Sequence, residues 1–336
     1  MLLSIIVPCY NEGESIKYTY KEIKKVVDNI KINYEIVFIN DGSKDNTLDI
    51  LKNISLNNQS VKYISFSRNF GKESGMLAGL KYSTGDCVVI MDADLQHPPK
   101  LIPEMIKYYE EGYDQVIAKR NRKGDNKCRT FLSKLYYKIV NKLIDVELVD
   151  GVGDFRLLSR KAVNSILAMN EYNRFSKGIF SWIGFKQKVI EYENQSRVAG
   201  ETKWSLKSLL SYGIDGIIAF NNRPLRVCFL IGSFLIMMSL VYIIFLFIQI
   251  IISGIDVPGY FTTIASIMII GGVQLVFIGV LGEYIGKIYY EVKKRPHFIV
   301  DESNVNHMAN SNNYDNYDNY YEEVALSEDV NDETGE

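Results

Sequence analysis

Asp92 and Asp94 stand one residue apart at the end of an apolar run, with Gln96, His97, Pro98 and Pro99 close behind. On an extended chain, side chains at i and i+2 share a face. Two hard oxygen ligands on one face can hold a divalent cation beside a diphosphate. The run 87–91, preceded by Gly85 and Asp86, reads as a short buried strand. Open α/β sheets gather their ligands at the carboxyl ends of such strands. Two more apolar runs end in acids: Pro8, Cys9, Tyr10, Asn11 and Glu12 follow the first, and Asp41, Gly42 and Ser43 follow the second. Each alone has a plain alternative as a turn or helix cap, and a lone Asp-x-Asp is a weak signal. Three acidic strand ends in a body of net positive charge are a stronger one.

The elements that must position these residues follow from periodicity. Apolar runs at 2–7, 35–39, 61–66, 87–91 and 115–118 alternate with helical patterns at 15–30, 45–54, 71–82 and 99–111. That order predicts an α/β fold with a parallel sheet. Residues 121–200 are mixed, with a basic helix near 127–143. Between 205 and 220, Leu206, Leu209, Leu210, Ile214 and Ile217 recur at helical intervals. A helix lying on the bilayer surface is the expectation there, with a core helix of the globular domain as the alternative.

Residues 227–252 and 257–282 contain no charged side chain. Each stretch exceeds the ~20 residues needed to cross a bilayer, and the connector is short, so a helical hairpin is expected. Arg223 and Arg226 precede the first stretch; Lys287, Lys293, Lys294 and Arg295 follow the second; the connector has neither Lys nor Arg. The positive-inside rule then puts both ends in the cytoplasm. Met1 leads straight into a strand-like run, so no secretory signal is expected.

The net charge of −2 conceals a split, because 11 of the 40 acidic residues and none of the 38 Lys and Arg lie beyond residue 300. The remaining basic body suits an anionic membrane surface or phosphate-bearing substrates. Nothing resembles a nucleic-acid module. Cys9, Cys87, Cys128 and Cys228 form no Cys-x-x-Cys pair and read as small core residues of a reducing compartment. The Asn-, Asp-, Tyr- and Glu-rich segment from about 303 reads as a disordered tail, and truncation after about Val300 is expected to leave activity near normal.

The acidic strand ends resemble those of family 2 glycosyltransferases of the GT-A fold. Three later motifs narrow the resemblance: Arg68-Asn69-Phe70-Gly71-Lys72, Gly151-Val152-Gly153-Asp154-Phe155-Arg156-Leu157-Leu158, and Leu281-Gly282-Glu283-Tyr284 with Arg295-Pro296. They look like dolichyl-phosphate mannosyltransferase and its bacterial, GtrB-like polyprenyl-phosphate glycosyltransferase relatives. The resemblance runs from about residue 2 to 300. It implies a Rossmann-like GT-A catalytic domain at 1–204, a juxtamembrane amphipathic helix at 205–224, and two transmembrane helices (about 227–252 and 257–284) within 225–290. A cytoplasmic tail would fill 291–336.

The resemblance also implies roles. Pro8, Tyr10, Glu12, Asp41, Lys72, Asp92 and Arg197 would bind the nucleotide sugar. Asp92, Asp94 and Gln96 would hold Mg²⁺ or Mn²⁺. Arg120, Arg129, Ser133 and Lys203 would bind the acceptor phosphate. Asp94, Asp154, Arg197 and Lys203 would serve catalysis, although Asp154 reads equally well as a structural acid paired with Arg156. Thr202 stands where relatives often have Ser. The implied reaction is inverting transfer of a sugar to undecaprenyl phosphate, with UDP-glucose or UDP-N-acetylglucosamine favoured and GDP-mannose also compatible. The implied enzyme is a homo-oligomer, a tetramer in relatives with this hairpin. A processive polysaccharide synthase is the first rival, but neither Trp182 nor Trp204 completes the Gln-x-x-Arg-Trp such enzymes carry. A membrane scaffold that has lost catalysis is the second, and the intact Asp92, Asp94, Gln96 and Arg197 speak against it.

Overall fold

Strand β1 (Leu2–Cys9) is apolar on both faces, and residues 3–7 are buried. A strand buried on both faces belongs inside a sheet covered by helices on each side. It pairs in parallel with β2 (Asn33–Asn40) and β4 (Cys87–Ile90), and β2 pairs in parallel with β3 (Val61–Phe66). The crossovers are α1 (Ile16–Val27), α2 (Thr47–Asn57) and α3 (Lys72–Tyr82). In α3, every residue from Gly75 to Leu80 is buried. Gly79 lets that helix lie close on the sheet, since a Cβ there would sit 2.0 Å from Ile6 Cγ2. A 3₁₀ turn, Pro99–Leu101, leads into α4 (Ile102–Glu110). The computed structural model describes residues 1–121, 141, 151–193, 223–253 and 259–305; the statements below concern these.

The remaining strands are β5 (Gln115–Arg120), β6 (Val152–Ser159), β7 (Gln187–Tyr192) and β8 (Val300–Ser303). The sheet order is β7-β5-β6-β4-β1-β2-β3-β8. The expectation of a parallel sheet therefore describes the centre and not the whole. Strand β6 is antiparallel to both β4 and β5, and β8 is antiparallel to β3. Apolar periodicity reports burial, not strand direction. Nothing in the run 115–118 shows that 152–159 will be inserted between it and β4.

Two helices complete the domain. Ser159 caps α5 (Arg160–Leu167), its hydroxyl accepting the Ala162 amide at 3.2 Å. Helix α6 (Ser176–Trp182) follows. Inside the sheet, Glu35 is 4% exposed yet fully engaged. It accepts hydrogen bonds from the Ser4 hydroxyl (2.5 Å) and the Thr84 amide (2.6 Å), and it pairs with Lys62 at 2.5 Å.

The hairpin consists of α7 (Arg223–Ser253) and α8 (Tyr260–Lys293). Helix α8 continues past the expected residue 284. It stops where Lys294 turns left-handed (φ 47°), one residue before Arg295-Pro296. Among the described residues one stretch, Ile269–Lys293, is long and apolar enough to cross a membrane by length and composition.

Against the expectation of a catalytic domain ending at 204 and a tail over 291–336, the chain returns to the sheet after the hairpin. Glu291 accepts the amides of Tyr172 (2.9 Å) and Asn173 (3.3 Å), and the Tyr172 ring stacks on both Tyr290 and His297. Phe298 stacks on Phe66 at 4.9 Å. Strand β8 then pairs with β3, and its Glu302 meets Lys52 at 2.7 Å. The expected basic helix near 127–143 (apart from residue 141), the helix at 205–220, the connector 254–258 and the tail from 306 lie outside the described residues.

Candidate active site

The carboxyl ends of β1, β2 and β4 bring the acids together with a lysine. Lys72 opens α3, and its Nζ lies 2.5 Å from Asp92 Oδ1 and 2.7 Å from Asp154 Oδ2. Burial works against the ammonium, but the two carboxylates hold it well above its ordinary range. Burial would likewise raise the two carboxyls, and Lys72 outweighs it, holding both below the usual carboxylate range. The three groups act electrostatically as one unit, with a single cation between two anions.

Asp41 determines where Lys72 stands. Its two oxygens accept the backbone amides of Phe70 (2.6 Å) and Gly71 (2.9 Å), the residues just before α3. Burial pushes its carboxyl above the ordinary range, and those two amides only partly offset that. Gly42 fits beside this loop because it has no side chain: with φ +61°, a Cβ would fall 2.3 Å from the Arg68 carbonyl carbon. Asp41 was read as a nucleotide ligand, but in the structure both its oxygens hold this loop.

At the end of β1, Pro8, Tyr10 and Glu12 are each half-buried. Glu12 accepts from the Ser15 hydroxyl at 2.7 Å, and its amide donates to Thr47 Oγ1 at 2.9 Å. After β4, Asp94 Oδ1 accepts the Gln96 amide at 3.1 Å, closing a tight turn around Leu95. Leu95 is buried and left-handed at φ 57°. A bulky residue rarely adopts that conformation, and such outliers cluster at functional sites.

The donor set fits a divalent cation in one particular way. The described residues contain no group of three or more His, Cys, Asp or Glu placed to cage a metal. Asp94 and Gln96 offer hard oxygens, and both are half-buried at the loop surface. A cation held by one or two protein oxygens and completed by substrate phosphates suits that set. Asp92, expected from sequence as a metal ligand, has Oδ1 on Lys72 and Oδ2 3.6 Å from His97 Nδ1 in the structure. Asp154 also meets Lys72, whereas Arg156 turns away, its guanidinium 3.8 Å above the Phe180 ring and hydrogen-bonded to Gly153 O. Asp154 therefore has Lys72 as its direct ion-pair partner, while Arg156 still contributes to keeping it ionised.

Arg120 ends β5 beside Tyr192, which ends β7. Burial pushes the Tyr192 phenol up to about 12; Arg120 pulls it down, and Asp92 and Asp94 push it further up. Tyr192 thus sits in the field of all three. Arg129, Ser133, Arg197 and Lys203 lie outside the described residues.

Three neighbours of the acids were missed. The His97 ring stacks on Phe155 at 5.1 Å, with Nδ1 buried, unbonded and 3.6 Å from Asp92 Oδ2. Its place just after Asp92-Ala93-Asp94 was a usable signal. Tyr192 had none, lying far along the chain in an unremarkable strand. Lys177, whose charge helps hold Asp154 ionised, had none either.

A mixed sheet with acidic loops at its strand ends, followed by a helical hairpin, is the arrangement expected of a GT-A glycosyltransferase of the GtrB-like type. The comparisons agree: the profile for glycosyl transferase family 2 matches residues 4–167, and that for the GtrB C-terminal hairpin matches 223–288. A putative glycosyltransferase, CsbB, of Bacillus subtilis (strain 168) is 57% identical, covering 90% of this chain and 92% of its own. The SfII prophage-derived bactoprenol glucosyl transferase of Shigella flexneri is 42% identical, covering 90% of this chain and 99% of its own. Among solved structures, glucosyl-3-phosphoglycerate synthase from Mycobacterium tuberculosis with Mn²⁺ and UDP-glucose is 19% identical. It covers 65% of this chain and 77% of that one at a TM-score of 0.43, too distant to add to the argument. The chain belongs to the family 2 glycosyl transferases with a GtrB-type C-terminal hairpin.

Proposed function

We propose that this enzyme transfers a sugar from a nucleotide sugar to a polyprenyl phosphate at the cytoplasmic face of a bacterial membrane, inverting the anomeric centre. The observation that carries the reading is the 42% identity with a bactoprenol glucosyl transferase across 99% of that relative. Undecaprenyl phosphate is the proposed acceptor, and UDP-glucose or UDP-N-acetylglucosamine the proposed donor. The product would supply sugar for a surface polymer.

Asp94 and Gln96 would hold Mg²⁺ or Mn²⁺, which when bound supplies Lewis-acid neutralisation of the departing diphosphate. The acceptor phosphate is already anionic near neutral pH, so no strong general base is needed. Arg120 from β5, with Arg129, Ser133, Arg197 and Lys203, would position it without quenching its attack. One phosphate oxygen bonds to the anomeric carbon as the bond to the nucleoside diphosphate breaks. Lys72 keeps Asp92 and Asp154 ionised and fixed while this happens. Pro8, Tyr10 and Glu12 would line the nucleotide end.

The return of β8 to the sheet supports two spans with both ends on one side, and the Arg and Lys flanking the hairpin favour the cytoplasmic side. A chain that leaves a sheet and rejoins it crosses a bilayer an even number of times. The proposed assembly is a homo-oligomer.

The test is a panel of UDP- and GDP-sugars given to purified full-length enzyme with undecaprenyl phosphate and Mg²⁺ or Mn²⁺. One UDP-sugar should yield a β-linked lipid phosphate sugar. EDTA or Asp94→Ala should lower turnover by about 10²-fold or more while the melting temperature holds. Transfer to no polyprenyl phosphate, or full turnover in EDTA, would refute the acceptor or the metal assignment respectively.

A further inference from the structure

A cleft of about 400 Å³ lies where the end of α8 meets the loop after β3 and the segment 172–175. It is separate from the carboxylate centre. Lys72 reaches Asp92 and Asp154, whereas its neighbour Glu73 bonds the Ser176 hydroxyl and amide and lines the cleft. Successive residues of a helix point about 100° apart, which sends the two side chains to different places.

Four basic side chains from distant parts of the sequence line this cleft: Arg68, Arg174, Lys287 and His297. Two are held in place. Arg174 donates to the carbonyls of Met169 (2.6 Å) and Ile166 (3.4 Å); Arg68 donates to Asn69 O and lies 4.0 Å above the Phe70 ring. Asn173 adds a donor with nothing to donate to, because its Nδ2 is buried and makes no hydrogen bond. A buried donor left so costs roughly 1–3 kcal/mol unless a ligand or water supplies an acceptor. Fixed positive charge from Arg68 and Arg174, with Lys287 and an unused amide in a concave site, suits the charge and oxygens of a phosphate group. The one acid in the lining opposes this weakly, since burial pushes the Glu73 carboxyl up to about 7 and Ser176 engages it.

We propose that this cleft binds a phosphate-bearing anion, distinct from donor and acceptor. Its position favours the headgroup of an anionic lipid. Lys287 belongs to the last turns of Ile269–Lys293, the stretch apolar enough to cross a membrane. Basic pockets at the ends of membrane helices take anionic headgroups.

The experiment uses full-length protein in neutral detergent with phosphatidylglycerol, phosphatidylcholine or inorganic phosphate as probes, read by native mass spectrometry. Phosphatidylglycerol should be retained over phosphatidylcholine, and inorganic phosphate should compete with it. Lys287→Gln and Asn173→Leu should each lower retention by about tenfold, with sugar transfer in detergent within about twofold of wild type. Lys293→Gln, an exposed lysine outside the cleft lining, should retain the lipid normally. Binding of inorganic phosphate without lipid would keep the site and make free phosphate its ligand. The proposal is overturned if neither probe binds, if both cleft variants retain lipid as well as wild type, or if Lys293→Gln loses as much as Lys287→Gln. Loss of sugar transfer with lipid retention intact would bear on the proposed reaction and leave the cleft standing.

Discussion

A single ammonium bridges two acids of the candidate site, Asp92 and Asp154. Lys72→Met keeps much of the side chain's volume and removes the charge that bridges Asp92 and Asp154, leaving Asp154 only the weaker influence of Lys177 and Arg156. Turnover should fall by about 10²–10³-fold, the scale of one lost preorganised charge, and Lys72→Arg should recover part of it. Wild-type kinetics in Lys72→Met would show that the bridge is incidental. The acids themselves were legible in the sequence, because each ends an apolar run or sits in a recognisable motif. Their pairing was not. Asp154 lies next but one to Arg156, and proximity along the chain suggested that partner; the true partner, Lys72, comes from a helix start 82 residues earlier. Asp41 shows the same limit: its position at a strand end was readable, but its use as a clamp on residues 70 and 71 depended on where β3 delivers that loop.

Among the elements, the central parallel strands were readable because burial on both faces leaves an unbroken apolar run. Strand β6 was not, since its sequence carries Gly153, Asp154 and Arg156 into the sheet and breaks that pattern. Glu35 was likewise passed over as one residue of an apolar strand, yet it ties β1, β2, β3 and the turn before β4 together. Burial alone would raise its carboxyl, but Lys62, Ser4 and Thr84 outweigh that and lower it. A carboxyl whose folded value is depressed adds stability above its ordinary pKa and loses it as pH falls through the folded value. Glu35→Ala should therefore destabilise the domain by about 3–5 kcal/mol near neutral pH, because Lys62 is left half-buried without its partner. The gap between variant and wild type should narrow in acid below the ordinary carboxylate range. Denaturant titrations at neutral and acidic pH measure both; an equal gap at both would mean the carboxylate's charge does not matter.

At the scale of the whole molecule, the chain leaves the sheet for the hairpin and then returns one last strand, β8, to it. The tail was expected to be expendable from about residue 300, because composition marks where apolar content falls and not where the last backbone pairing lies. Truncation after 305 should leave thermal stability and transfer near wild type. Truncation after 299 removes β8, the Lys52–Glu302 pair and the cover over the β3 edge, and should lower the melting temperature measurably. Identical melting curves for the two truncations would show that β8 contributes nothing to the domain.

That last strand also sets a schedule. Chains emerge from the ribosome at about 5–20 residues per second, so β3 waits on the order of tens of seconds for its partner. During that interval the sheet has an open edge, the kind of surface that recruits strands from other chains. The edge can be sealed only after α7 and α8 have been made, because β8 follows both in the chain. Completion of the sheet thus waits on synthesis of the hairpin, and a chain stopped within α7 or α8 keeps that rim exposed.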